Sequence, residues 1–156
     1  MREPLLAPLA AIAAGIVVSR FVPFESRELL SGIAAFLILG VVSLWLRLRP
    51  LAIACALLAL IAAVYIGFAV ADGRPKVIAV ESTVAGAFVL LAAAGVTGPA
   101  WLLVLGYTGH GLKDFWQERR HYVANTRWWP PFCAAVDWLV AVVLAIEIIA
   151  GAGFHH

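Results

Sequence analysis

The stretch LAIACALLALIAAVYIGFAVA, residues 51–71, contains no charged residue and no proline. A helix of about 20 apolar residues is long enough to cross the hydrocarbon core of a bilayer. Pro50 precedes the stretch, and Asp72 and Gly73 follow it. The pattern therefore predicts a transmembrane helix and, with it, an integral membrane protein.

Further apolar stretches lie on both sides of residues 51–71, separated by short segments such as RLRP at 47–50, DGRPK at 72–76 and TGP at 97–99. Proline and glycine in these segments favour helix ends and turns. The sequence predicts an all-α integral membrane bundle of about six transmembrane helices. The predicted spans are 4–22, 29–46, 51–71, 77–97, 99–117 and 132–151. For the fourth and fifth spans, a re-entrant segment is the alternative.

The domain organisation follows from the continuity of these spans. We expect one membrane domain over residues 1–156, with division into N-terminal helices (1–72) and a core unit (73–156) as the alternative. Residues 5–18 are short enough for the apolar region of a signal peptide, but Ser19-Arg20-Phe21 is a poor cleavage site. We therefore expect a retained first helix.

The composition excludes a water-soluble domain. Hydrophobic residues make up 64% of the chain and charged residues 13%, whereas soluble domains carry about 25% charged residues. The mean hydropathy is +1.00. The net charge of +2 is too small to indicate a nucleic-acid partner. The lipid bilayer is the expected partner, with other membrane subunits or a homo-oligomer as further candidates. Cys55 and Cys133 lie in or beside apolar segments and are expected to be free thiols.

The positions of the basic residues predict the orientation, because short cytoplasmic loops carry an excess of Lys and Arg. We define side A as the side of the membrane that carries the N-terminus. With six spans, side A carries Arg2, Arg47 and Arg49, and side B carries the other eight of the 11 basic residues. Side B, including the segment 109–127, is therefore predicted to be cytoplasmic.

Four ionisable residues are predicted to lie at similar depth near side B. They are Glu81, His110, Asp114 and Asp137. Ionisable groups inside a membrane are costly and are candidates for function, so these four are the candidate catalytic residues. Asp114 could orient His110 as a general acid or base.

The same helix offers candidate metal ligands. At 100° per residue, Asp114 lies about 40° and His121 about 20° around the helix from His110. This stripe predicts a divalent-metal site formed by His110, Asp114 and His121. Whether any cofactor is bound is left open by the sequence.

Structural interpretations stand beside the functional ones. His110 and Asp114 could form an interhelical hydrogen-bond pair, Glu81 could pair with Lys76, and Asp137 could cap a helix or pair with Arg127. His121 could belong to a headgroup-binding segment. Trp116, Trp128 and Trp129 are candidate walls of a substrate site, although an aromatic belt at the interface is the simplest explanation of them.

Two resemblances accompany this pattern. The segment from about 1 to 70, with MREPLLAPLAAIAAGIVVSRFVPF at its start, resembles the N-terminal membrane segment of the ComEC/Rec2 competence family of bacterial inner membranes. The segment from about 66 to 150, with GHGLKDFW and RWWPPFCAAVDW, resembles small bacterial four-helix membrane proteins of unknown function. The first resemblance implies a multi-pass protein of the bacterial inner membrane. The second marks a site whose matching positions are His110, Asp114, His121, Trp128, Trp129, Pro130, Pro131, Phe132, Cys133 and Asp137.

Three functions are compatible with these residues. The first is a membrane-embedded enzyme or binding protein that uses acid–base or metal-assisted chemistry on a lipophilic, isoprenoid- or lipid-like molecule. The second is a non-catalytic accessory subunit of a larger membrane complex. The third is a small carrier or channel, for which Glu147 is the one polar group on a path to side A.

Cysteine labelling tests the orientation. With Cys55 and Cys133 replaced by serine, a single cysteine at Glu118 is expected to react with a membrane-permeant maleimide and not with an impermeant one added outside intact cells. The physical reason is the excess of basic residues on side B. Labelling of positions 118–127 by the impermeant reagent would contradict the orientation.

Overall fold

The computed structural model describes residue 38 and residues 50–151, except 125 and 127. The first two predicted spans, 4–22 and 29–46, therefore lie outside the described residues apart from Ile38, which is helical.

Four helices make up the described part of the chain, and no strand occurs in it. They are α1 (Pro50–Asp72), α2 (Pro75–Thr97), α3 (Trp101–Arg120) and α4 (Trp129–Ile149). The all-α fold class is thus confirmed for these residues. Prolines stand in the first turns of α2 and α4, where a missing backbone N–H costs nothing.

Three of these helices, α1, α2 and α4, are long and apolar enough to cross a membrane by length and composition. They support a helical membrane bundle, but a total of about six spans is not supported. The predicted fifth span, 99–117, is helical within α3, yet α3 is not among the three. The reason is that its second half carries a concentration of charge, from Lys113 to Arg120.

Short turns make neighbouring helices antiparallel. Gly73 and Arg74 alone separate α1 from α2, and Gly73 has a φ of +78°, a conformation that favours glycine. α1 packs most extensively on α2, and α3 on α4, while smaller contacts join α2 and α1 to α3. The C-terminal ends of α1 and α3 and the N-terminal ends of α2 and α4 consequently face the same way.

The core of the bundle is apolar at one end. Leu58 from α1 and Leu103 and Tyr107 from α3 are fully buried in it. The hydroxyl of Tyr107 donates a hydrogen bond of 2.6 Å to the carbonyl oxygen of Ala54. This bond satisfies the polar end of a buried tyrosine and joins α3 to α1.

The loop between α3 and α4 is tied to the turn between α1 and α2. The Asp72 carboxylate accepts a 2.7 Å hydrogen bond from the backbone N–H of Ala124 and a 2.6 Å bond from Arg74 Nε. Arg74 Nη2 donates in turn to the carbonyl oxygen of Tyr122, at 2.6 Å. Val123 is buried nearby against Ala69 and Val77. The start of this loop therefore covers one end of the bundle.

Close contact between α3 and α4 depends on Gly111. A Cβ at this position would lie 2.6 Å from Cδ1 of Trp138 and would also clash with its Nε1. We expect Gly111→Ala to lower the free energy of unfolding by about 1–3 kcal/mol, as overpacking of a tight contact does. Thermal or denaturant unfolding in detergent measures the change.

Gly86→Ala is the matched control, because Gly86 lies within α2 with nothing within 4 Å of the added Cβ. It should leave stability unchanged or raise it slightly, since alanine favours helix over glycine. Equal stability losses in the two variants would contradict the close-packing explanation.

Candidate functional site

The inward face of α3 changes from apolar to polar along its length. Its buried residues follow the helical period: Leu103, Gly106, Tyr107, His110, Gly111, Asp114 and Gln117. The first three belong to the apolar half, and the polar ones lie nearer the end of the bundle that the α3–α4 loop covers. A polar cluster thus forms inside the bundle, roughly 10 Å from that end by the rise of the helix.

His110 is the centre of the first part of the cluster. Its Nδ1 lies 2.7 Å from Oδ2 of Asp137 on α4 and 3.3 Å from Oδ2 of Asp114 on α3. All three side chains are fully buried. When Nδ1 carries a proton, it donates a charge-assisted hydrogen bond to Asp137, which is stronger than a neutral one.

Glu81 on α2 is the centre of the second part. Gln117 Nε2 donates a 2.6 Å hydrogen bond to its Oε1, and Lys113 Nζ forms a 2.9 Å ion pair with its Oε2. Lys113 Nζ also lies 3.2 Å from the ring centroid of Tyr65 on α1, a cation–π arrangement. The buried carboxylate of Glu81 is therefore held by two residues of α3.

Aromatic rings surround the imidazole of His110. The ring centroid of Phe88 lies 4.9 Å from it and that of Tyr65 lies 5.9 Å from it. These rings lie against the imidazole from α1 and α2, and both acidic partners of His110 are fully buried. Electrostatic interactions in such a low-dielectric environment are stronger than in water.

Negative charge exceeds positive charge in this cluster. Three carboxylates, one ammonium and one imidazole are buried together. Among the described residues, several buried atoms have no hydrogen-bond partner. They include Nε2 of His110, Oδ1 of Asp137 and Oε1 of Gln117. Such atoms are uncommon in proteins and call for an explanation.

The donor atoms of His110, Asp114 and Asp137 lie within 4.8 Å of one another, so these three residues could hold a metal ion. His121, the third metal ligand that the sequence predicts, does not join them. It is the C-cap of α3 with a φ of 47°, it is exposed, and its Nδ1 lies 2.6 Å from the carbonyl oxygen of Glu118. The left-handed conformation at His121 ends the helix and with it the predicted stripe.

A small cavity of about 90 Å³ lies beside the cluster, between α1, α3 and α4. Its walls are apolar throughout and include Ile61, Tyr107, Trp129 and Val136, and Asp137 lines it with carbon atoms only. Several lining residues of α1 and α4 are only half-buried, so the cavity lies at the outer surface of the bundle. Its volume would hold about three water-sized groups, which is a short segment of an alkyl chain.

The three candidate tryptophans divide between two places. Trp129 lines the cavity and packs on Phe68, with 5.7 Å between ring centroids. Trp116 and Trp128 are about half exposed and do not line it. Trp116 instead packs on Tyr122 of the α3–α4 loop, at 5.2 Å between centroids.

Three members of the cluster were not among the candidates from the sequence: Tyr65, Lys113 and Gln117. Lys113 and Gln117 stand three and seven residues after His110, a spacing that places them on the same helix face. That spacing could have identified both. Tyr65 lies in an uninterrupted apolar stretch and had no such signal.

No family model, no curated protein and no solved structure matches this chain. The two family resemblances therefore stay predictions.

Replacing Lys113 tests how much the ion pair between Lys113 and Glu81 contributes to the free energy of unfolding. We expect Lys113→Met to lower the free energy of unfolding by about 3–5 kcal/mol, because it leaves the buried carboxylate of Glu81 without its cation. The double variant Lys113→Met/Glu81→Gln should recover most of that loss. Denaturant unfolding of the single and double variants gives the coupling energy.

Lys76→Met is the control, since Lys76 is an exposed lysine on α2 and the sequence had offered it as the partner of Glu81. It should change stability by less than about 0.5 kcal/mol. A loss in Lys76→Met equal to that in Lys113→Met, or no recovery in the double variant, would contradict the pairing of Glu81 with Lys113.

Proposed function

We propose that this protein is a membrane-embedded enzyme or binding protein that acts on a lipophilic molecule. One observation carries the proposal: the carboxylate of Asp137 belongs to the buried polar cluster, and the carbon atoms of the same residue form part of the wall of the apolar cavity. Ligand sites combine mostly apolar walls with a few placed polar groups. The cavity would hold part of an alkyl or isoprenoid chain, and the cluster would act on the adjoining functional group.

The chemistry that suits the cluster is proton transfer. Asp137 would hold the imidazole of His110 in one tautomer through Nδ1, the role that an orienting carboxylate has beside a general acid or base. The other ring nitrogen, Nε2, has no hydrogen-bond partner among the described residues and would exchange the proton with the substrate. Isomerisation or cyclisation of an isoprenoid-like compound is the reaction class that we propose.

The cellular setting belongs to the same proposal. We place the protein in the bacterial inner membrane as a multi-pass protein, with the 109–127 segment on the cytoplasmic side. Three apolar helices support a membrane location, and the distribution of basic residues supports the orientation. Trp116 and Trp128, half exposed near the polar end, would then lie at the interface with the headgroups.

The two other functions are less well supported. A carrier needs a polar path along the bundle, but the buried residues of α4 between Asp137 and Glu147 are Leu139, Ala141 and Leu144. An accessory subunit would use the cluster to join helices. That function does not account for an apolar cavity beside the cluster.

Filling the cavity tests the proposal. Ile61→Trp would place an indole in the space between α1 and α4. We expect it to reduce photo-crosslinking of a diazirine-bearing isoprenoid alcohol, in protein reconstituted into nanodiscs, by about ten-fold, which corresponds to about 1.4 kcal/mol of binding. Mass spectrometry of peptides from α1 and α4 locates the crosslink.

Leu60→Trp is the matched control, because Leu60 is the preceding residue on α1 and is 60% exposed on the outer face. It introduces the same side chain without entering the cavity, so labelling should equal that of the wild type. Asp137→Asn should keep the label, because the apolar walls are unchanged. Equal labelling of Ile61→Trp and Leu60→Trp would refute the cavity as the binding site.

A further inference from the structure

The geometry points to a divalent transition-metal ion bound by His110, Asp114 and Asp137. The chemical role of this site rests on the proposed function. The ligand set differs from the one the sequence predicts, because Asp137 of α4 takes the place of His121. Mn²⁺, Fe²⁺ and Zn²⁺ are the ions that a mixed imidazole and carboxylate set suits.

The donor separations fit a coordination shell. Donors held about 2.1 Å from a metal ion lie roughly 3.0–3.4 Å apart in octahedral or tetrahedral geometry. Nδ1 of His110 lies 2.7 Å from Oδ2 of Asp137 and 3.3 Å from Oδ2 of Asp114. These two separations lie within a few tenths of an ångström of that range, and all three donors lie within 4.8 Å of one another.

The charges of the cluster favour a cation. Lys113 neutralises Glu81 through their 2.9 Å ion pair. Asp114 and Asp137 then have only the imidazole of His110 between them, and all three are fully buried. Two carboxylates without positive partners are strongly unfavourable in an apolar interior. A divalent cation with a neutral imidazole makes the set neutral.

The hydrogen bonding supplies a second, independent indication. The fully buried carboxylate of Asp114 interacts with the Tyr65 hydroxyl, and its Oδ2 lies 3.3 Å from Nδ1 of His110. Oδ1 of Asp137, also fully buried, has no hydrogen-bond partner among the described residues. Buried carboxylates normally accept several hydrogen bonds, and a metal ion would satisfy these oxygens.

Three protein ligands leave part of the coordination shell open. Structural metal sites are closed by four protein ligands, whereas catalytic sites keep a position for water or substrate. Asp137 would bind the ion through its carboxylate, while its carbon atoms border the apolar cavity. A bound ion would act as a Lewis acid on the functional group of a molecule whose chain lies in that cavity. Nδ1 of His110 would then bind the ion instead of donating to Asp137, so this role would replace the proton transfer by His110 that we propose for the metal-free cluster.

Metal binding is tested on full-length protein purified without a polyhistidine tag and with His155 and His156 replaced by alanine. After removal of metal with a chelator, Zn²⁺ and Mn²⁺ are titrated by calorimetry, and Mn²⁺ is also followed by electron paramagnetic resonance. We expect about one equivalent of metal per chain. His110→Ala, Asp114→Asn and Asp137→Asn should each weaken binding more than about 100-fold, since loss of a mere outer-shell partner costs 10- to 100-fold.

Two variants serve as controls. His121→Ala should bind metal like the parent protein, because His121 is exposed at the end of α3 and bonded locally. Ile61→Trp should also bind metal normally, because it fills the cavity and changes no donor. Added metal should raise the midpoint of thermal unfolding of the parent protein and of both controls. This measurement tests metal binding even if the ligand variants fail to fold.

Absence of metal binding by the parent protein would overturn the site. It would mean that bound protons alone neutralise the carboxylates of the cluster. Binding that survives Asp137→Asn and is lost in His121→Ala would overturn it as well. These failures differ from a failure of the proposed function. If only the proposed function fails, metal binds to the three residues, but the diazirine probe labels the parent protein and Ile61→Trp equally.

Discussion

Ionisable side chains buried among apolar helices must be neutralised by one another, and this requirement governs the packing around α3. Glu81 of α2 is held by Lys113 and Gln117 of α3. Asp137 of α4 is held by His110, also of α3. Because each isolated charge would be strongly unfavourable, α2 and α4 are bound to α3 at fixed registers. The polar half of α3 thereby joins both neighbours into one bundle.

The same packing creates the chemical setting of the site. Gly111 allows Trp138 of α4 to approach α3 closely, and that contact lies beside His110 on the helix. Hydrogen bonds to Asp72 and Arg74 hold the α3–α4 loop over the polar end of the bundle. Toward the lipid-facing side, Asp137 borders an apolar cavity. A concentrated set of charges and a space for an alkyl segment are therefore adjacent, the combination on which the proposed function rests.

How far the site could be predicted depended on the range of the interactions. Regular helix geometry placed His110 and Asp114 on one face, and span boundaries placed Glu81 and Asp137 at similar depth, all four of which meet in the cluster. The partner of Glu81 was not Lys76 but Lys113, because that choice depends on how α2 faces α3. His121 lies outside the cluster because α3 ends there in a left-handed residue, which a continued helical period does not anticipate.

The sequence by itself determined that the chain forms apolar helices with breaks near residues 73 and 98, since these properties follow from local composition, proline and glycine. The gap between the last two predicted spans was expected at residues 118–131, whereas α3 continues to Arg120 and α4 begins at Trp129. A total of about six spans is not supported by the described residues, where three helices qualify by length and composition. Only the tertiary structure decided which charges neutralise each other and that Asp137 adjoins an apolar cavity. The reason is that such contacts depend on helix rotation and register across residues far apart in the chain, for which local sequence carries no signal.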